Sequence, residues 1–342
     1  MRQAVMTKAG HIDFTEVPVP EIWIEQVLLK VMRIGVCGSD IHVFHGKHPY
    51  VSFPLVQGHE VSFEVVRAGA GVKDFKPGDR VTIEPQVSCG KCFPCEQGMY
   101  NICDNLKVIG FQAMGTASDY FAADASRLVK LPSNMDFGSG AMIEPLAVAV
   151  RAVKKAGIRN GMKALVLGAG PIGNLTAQTA KAMGAAKVII ADINDFRLKK
   201  AVDCGIDCAV NTSKEDLSAV VDKTFGSREK ADVIFECAGA VPLMQTAVSL
   251  ARKGTHIVVV GVFGEKVPMD MALVNESELS VIGTARYVIE DFKTAIGLVE
   301  KGLVKLQPLI TDEFDFLKYE DAYRHIDENR DKVMKVLIKV NA

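Results

Sequence analysis

An apolar run, Lys163–Leu167, leads into Gly168-Ala-Gly170-Pro171-Ile172-Gly173 and then into an Ala-rich stretch ending near Met183. Strand, glycine turn and helix in that order form a βα unit shaped to receive a pyrophosphate. Gly168 permits the tight turn, Gly170 lets the backbone approach the phosphates, and Gly173 lets the helix pack close to the strand. The helix N-terminus adds N–H donors and the positive end of its dipole. An ordinary tight turn is the alternative, and the flanking strand and helix argue against it. Asp192 follows the next strand-like run, Lys187–Ala191, where an acidic side chain binds the ribose hydroxyls of an adenosine. Its charge repels a 2′-phosphate, so the expected cofactor is NAD rather than NADP. Arg197 lies close by and is a candidate to stack on adenine, the alternative being that it softens that exclusion.

The surrounding texture agrees. After about residue 160, apolar strands alternate with helices: Asp195–Cys204 and Pro242–Leu250 as helices, Val233–Glu236 and His256–Val260 as strands. That is the pattern of a doubly wound parallel sheet. The first 150 residues are instead β-rich and irregular, with short runs such as Gln26–Met32, Val61–Ala68 and Arg80–Ile83 between turn signals. Near the end, Ile289–Lys301 reads as an amphipathic helix and Val333–Val340 as a closing strand. The expected division is a first domain of 1–150 plus 287–342, and a nucleotide domain of 151–286. At 342 residues two domains are the natural outcome. A formal net charge of -1 carries no polyanion-binding signature, so nucleic acid is not an expected partner. No apolar run is long enough to span a bilayer, and the start lacks the apolar core of a signal peptide. Eight cysteines in a chain of this size argue for thiols in a reducing cytoplasm rather than a disulfide scaffold.

Four of those cysteines form a ladder, Cys89-Gly-Lys-Cys92-Phe-Pro-Cys95, closing at Cys103. Three thiolates on one loop and a fourth just beyond it converge on Zn²⁺ without long-range folding, and a closed four-sulfur site is structural. Iron–sulfur clusters and redox pairs use related spacings, but neither a second cluster motif nor a thioredoxin-like setting accompanies these. A second set is scattered: Cys37, His59 with its neighbour Glu60, and Glu144, a carboxylate interrupting an apolar segment. Singly, each has an ordinary packing explanation; in combination they suggest an open, catalytic metal site. Cys204, Cys208 and Cys237 read as packing residues.

In these motifs the chain resembles the medium-chain zinc-dependent alcohol dehydrogenase family nearly end to end. The resemblance rests on Gly35-Val-Cys37-Gly-Ser39-Asp40, Gly58-His59-Glu60, the four-cysteine lobe, Glu144-Pro-Leu-Ala and the glycine turn. It implies an α/β fold, with a GroES-like β-rich catalytic domain and a Rossmann doubly wound parallel sheet. Glu144 is similar to the polyol and sugar-acid branch, which includes sorbitol, L-threonine and bacterial galactonate or gulonate dehydrogenases. By this resemblance Cys37 and His59 ligate the catalytic zinc, Glu60 and Glu144 share the remaining contact, and Ser39 and His42 relay the alcohol proton. Two zinc ions per chain and NAD are the implied cofactors. Homodimers or homotetramers are the implied assembly.

The implied reaction oxidises a secondary hydroxyl, with zinc as the Lewis acid. For the substrate, Lys47, His48, Arg286 and Tyr287 are the candidate contacts, the cations pairing with hydroxyls or a carboxylate. Lys47 and His48 also fit a solvated loop tip. Sorbitol dehydrogenases typically carry a substrate-facing tyrosine after the relay histidine, and Val43 stands there instead. L-Threonine 3-dehydrogenase or a general secondary alcohol dehydrogenase is the alternative activity. A non-catalytic NAD-binding protein is the alternative of another class.

Overall fold

Strand β1 (Gln26–Gly35) buries nearly every second and third residue, as a central strand must. The computed structural model describes all 342 residues and shows what packs around it. After β1 the chain turns through Cys37 into a two-turn helix α1 (Gly38–Phe44), then continues as β2 (Glu60–Ala68), β3 (Arg80–Ile83), β4 (Tyr120–Asp124) and β5 (Leu128–Lys130).

Helix α2 (Ile143–Ala156) introduces the alternating part. It continues β6 (Lys163–Leu167), α3 (Pro171–Ala182), β7 (Lys187–Asp192), α4 (Asp195–Asp203), β8 (Cys208–Asn211), α5 (Leu217–Phe225), β9 (Val233–Glu236), α6 (Val241–Leu250), β10 (His256–Val259), α7 (Met271–Glu276) and β11 (Ser280–Gly283). These six strands are all parallel, in the order β8-β7-β6-β9-β10-β11. Alternate residues face opposite layers. Ala164 and Val166 join one buried cluster with Val153, Ala177 and Ile190, whereas Leu165 and Leu167 join another with Ile189, Val221 and Ile257. Both faces are therefore apolar, which explains the near-continuous hydrophobic strands. Each Leu or Ile so buried contributes about 1.5–3 kcal/mol.

The chain ends with α8 (Ile289–Glu300), β12 (Ile310–Asp315), α9 (Tyr319–Glu328) and β13 (Lys335–Lys339). Strand β13 pairs antiparallel with β1, and the resulting seven-stranded sheet runs β12-β13-β1-β2-β3-β5, with β4 also on β1. Two compact units result. The first holds Met1–Glu144, Val288–Ile296 and Ile310–Ala342; the second holds Pro145–Tyr287 and Gly297–Leu309. This differs in detail from the division at 150 and 287 expected from sequence. Residues 145–150, Tyr287 and residues 297–309 group with the second unit, so α8 crosses the division. A hydrophobic pattern marks a helix, but not which neighbours each of its turns packs against. No helix is long and apolar enough to cross a membrane.

Candidate functional site

The cysteine lobe is built from local turns. Gly90 and Gly98 both adopt φ +72°, the left-handed region, bending the chain on either side of a helical turn, Phe93–Glu96, that Cys92 opens. The four sulfurs lie within 4.8 Å of one another, with Cys92 Sγ 3.3 Å from Cys95 Sγ and 3.7 Å from Cys103 Sγ. A tetrahedral ion with Zn–S bonds of about 2.3 Å separates its sulfurs by about 3.8 Å, so this donor set fits zinc. The backbone N–H of Lys91 pulls the Cys89 thiol down to about 6, while burial and its sulfur neighbours push Cys95 up to about 12. Crowded thiols cannot all ionise together unless a divalent cation offsets their repulsion.

The second cluster is set by α1 and the start of β2. Cys37 is the N-cap residue of α1 and donates its N–H to Asp40 Oδ2 at 3.0 Å. Ser39 and His42 follow on that helix, three residues apart and so on one face, with His42 exposed. Gly58, at φ +96°, turns the chain into His59 and Glu60. Ligand atoms of Cys37, His59 and Glu60 lie within 4.8 Å of one another. His59 Nδ1 faces Asp40 Oδ1 at 3.5 Å, which leaves Nε2 for an ion. Burial opposes a charge on His59, but the Asp40 carboxylate and the Cys37 sulfur hold its pKa well above the ordinary imidazole value. A metal must therefore displace a proton to bind there. One soft thiolate, one imidazole and carboxylate oxygen are a donor set that suits zinc.

Two partners were missed from sequence. Lys335, from β13, places Nζ 2.7 and 2.6 Å from the two oxygens of Glu60 and 3.1 Å from the Val36 carbonyl. Burial opposes its charge, and Glu60, Cys37 and Glu144 together raise its pKa nonetheless. Glu144 is buried on the first turn of α2 and acts on the same ammonium, though its oxygens lie outside the tight Cys37–His59–Glu60 group. Only a glycine at position 35 leaves room for Glu60, since a Cβ there would collide with Oε2. The second missed group lies behind Asp40. Gln57 Nε2 is 3.4 Å from Asp40 Oδ1, and Tyr323 of α9 donates its hydroxyl to Gln57 Oε1 at 2.7 Å. A lysine on an otherwise buried strand was the available signal for Lys335.

Of the expected substrate residues, Lys47 is exposed and His48 is half-buried. Burial, followed by the nearby His42, lowers the His48 pKa. Phe111 bridges the loop to His59, its ring 5.1 Å from that of His48 and 5.0 Å from that of His59. Val43 is buried in the core beneath α1. In the second unit, Arg286 adopts φ +53°, uncommon for a residue with a side chain, and Tyr287 is buried.

The glycine turn behaves as its spacing requires. Gly168 has φ +98°, a Cβ on Gly173 would collide with the Gly168 carbonyl, and a Cβ on Gly170 would meet nothing within 4 Å. The open space beside Gly170, with Pro171 and Ile172 opening α3 behind it, leaves room for a pyrophosphate at a helix N-terminus. Asp192 accepts from Ala169 N at 2.7 Å and Asn194 N at 2.9 Å, so it ties the glycine turn to the end of β7. Its remaining lone pairs are those a ribose would use. Arg197 lies on the first turn of α4, half-buried.

A doubly wound nucleotide-binding unit, joined in one chain to a β-rich unit with a closed four-sulfur site and an open mixed-ligand site, defines a metal-dependent dehydrogenase. The chain belongs to the zinc-binding alcohol dehydrogenases. Residues 24–133 match the alcohol dehydrogenase GroES-like domain and residues 171–301 the zinc-binding dehydrogenase family. It is 38% identical to a sorbitol dehydrogenase of Halalkalibacterium halodurans, over 99% of each chain. It is 36% identical to a 2-dehydro-3-deoxy-L-galactonate 5-dehydrogenase of Pseudoalteromonas atlantica, over 93% of this chain and 92% of the other. An alcohol dehydrogenase of Escherichia coli CFT073, solved with NADH, superposes with a TM-score of 0.91 at 32% identity, covering 99% of each chain. The protein is thus a zinc-dependent oxidoreductase acting on CH–OH groups.

Proposed function

We propose that this enzyme oxidises a secondary hydroxyl of a polyol or sugar acid to the ketone, with NAD as hydride acceptor. The observation that carries the reading is the convergence of Cys37, His59 and Glu60 beside the helix bearing Ser39 and His42. The sorbitol and galactonate-type relatives narrow the alcohol to a polyhydroxylated one. Zinc, when bound, supplies the Lewis acid that makes the substrate hydroxyl acidic. Cys37 and His59 hold it, with a carboxylate from Glu60 or Glu144, while Cys89, Cys92, Cys95 and Cys103 hold the structural ion. Ser39 takes the proton from the substrate hydroxyl and His42, on the solvent side of α1, passes it to water. Asp40 orients the imidazole of His59.

Lys47, His48, Arg286 and Tyr287 are the proposed substrate contacts, the cations suiting an aldonate carboxylate. Asp192 disfavours a 2′-phosphate and so selects NAD. The edge strand β11, with Val281 and the nearby Met271 exposed, supports association through the nucleotide-binding unit into a homodimer or homotetramer. Eight cysteines, none of them paired in a disulfide, fit a cytoplasmic enzyme. The test is NADH formation by zinc-loaded protein with NAD⁺ and a panel of polyols, aldonates and L-threonine. Turnover of polyols or aldonates is expected; turnover confined to L-threonine overturns the substrate class.

A further inference from the structure

In the order β8-β7-β6-β9-β10-β11 the direction of winding reverses between β6 and β9. Such a sheet binds one mononucleotide at the C-terminal strand ends of each half. The glycine turn after β6 and Asp192 after β7 serve the adenylate and the pyrophosphate. The turns after β9 and β10 are left for the other half, the nicotinamide riboside.

Those two turns are knotted around one side chain. Glu236, the last residue of β9, is 0% exposed. Its Oε1 accepts from Ala238 N at 3.0 Å, Gly239 N at 2.9 Å and Ala240 N at 3.4 Å, and its Oε2 accepts from Gly239 N at 3.1 Å. Its carbonyl accepts from Val260 N at 2.8 Å and Gly261 N at 2.9 Å, at the start of the other turn. No side chain fits between the two: Gly239 sits at φ +67° with its missing Cβ against the Val262 carbonyl, and a Cβ on Gly261 would lie 2.6 Å from Glu236 Oε2. An ordinary helix N-cap uses one short side chain at the cap position; here Ala240 holds that position and the carboxylate reaches in from the preceding strand. Immediately after the knot, Val262 is 91% exposed, an apolar side chain held in the open at the C-terminal edge of the sheet.

We infer that Glu236 is a positioning residue for the nicotinamide half of the dinucleotide. It locks the β9 and β10 turns into one platform and presents Val262 as the apolar contact for the riboside. The inference rests on the reading of the second unit as the NAD site. Without the carboxylate, the N–H groups of Ala238, Gly239 and Ala240 lose their acceptor and the two turns separate.

The test compares NADH with ADP-ribose, which lacks the nicotinamide, as ligands of the full-length zinc-loaded protein by titration calorimetry. Glu236→Ala should weaken NADH about tenfold, the scale of one lost buried acceptor, and leave ADP-ribose within about twofold. Glu236→Gln, which keeps an acceptor, should restore most of the difference. Because Glu236→Ala alters the core, Val262→Ser at the exposed position provides the second variant, with the same selective loss of NADH affinity and no change in melting temperature. Equal losses for both ligands, or no loss for NADH in a folded variant, overturn the proposal. Wild-type protein that binds neither ligand overturns the cofactor reading itself, and the inference with it.

Discussion

Lys335 Nζ holds both carboxylate oxygens of Glu60, at 2.7 and 2.6 Å, with both side chains buried beside the Cys37–His59 pair. Glu60 is therefore neutralised by an internal cation before any metal arrives. It enters a metal shell only by competing with that ammonium, which sets its role apart from that of Cys37 and His59.

Removing one partner of a buried pair leaves an uncompensated charge, at a cost of about 3–5 kcal/mol. Lys335→Met should destabilise the protein by about that amount in urea unfolding, and Lys335→Met with Glu60→Gln should recover most of it. A single-variant loss below about 1 kcal/mol would show that the pair is relaxed by water and does not fix Glu60.

Glu84, just after β3, is another buried carboxyl. Burial pushes its pKa up to about 7, against hydrogen bonds from Tyr100 and Gln86, the latter at 3.0 Å. The folded state therefore holds a proton that the unfolded chain releases near the ordinary glutamate value. Stability falls as pH rises through that interval and levels off above about 7, by about 3 kcal/mol in total. Glu84→Gln should match the wild type near pH 4.5 and exceed it at pH 8. Unfolding curves for the two proteins that stay parallel across this range would refute the assignment.

Asp192 braces the glycine turn through Ala169 N, and in the proposed function it also repels a 2′-phosphate. Asp192→Asn keeps an acceptor for the turn and removes the charge. The ratio of kcat/KM for NADP to that for NAD should rise at least about tenfold, from a wild-type value well below one. A wild-type enzyme that prefers NADP, or a ratio unmoved by the substitution, contradicts the NAD preference.

What was legible in the sequence was local. The glycine turn, the cysteine ladder and the Gly58-His59-Glu60 step each declare their geometry within a few residues, and the expected strands at 163–167 and 233–236 match β6 and β9. Several elements passed unnoticed, among them α2, α5, β4 and β5; β12 lacks a buried alternation, and α7 and β11 are short and partly exposed, so their patterns are weak. Amphipathic α9 was also overlooked, although its buried Tyr319, Ala322, Tyr323 and Ile326 follow a helical period. The remaining gap is one of distance along the chain. Lys335 meets Glu60 across 275 residues, and Tyr323 meets Gln57 across 266, contacts created only when β13 and α9 return to the first sheet. No spacing rule reaches that far.

The most direct test of the account is zinc content measured alongside turnover in wild-type protein and in Cys37→Ser. The wild type should hold two zinc ions per chain, matching the two donor clusters. The variant should hold one, lose nearly all turnover, and bind NADH as before, since the glycine turn lies in the other unit. A Cys37→Ser protein that keeps both ions and wild-type turnover would contradict the assignment of the catalytic metal site.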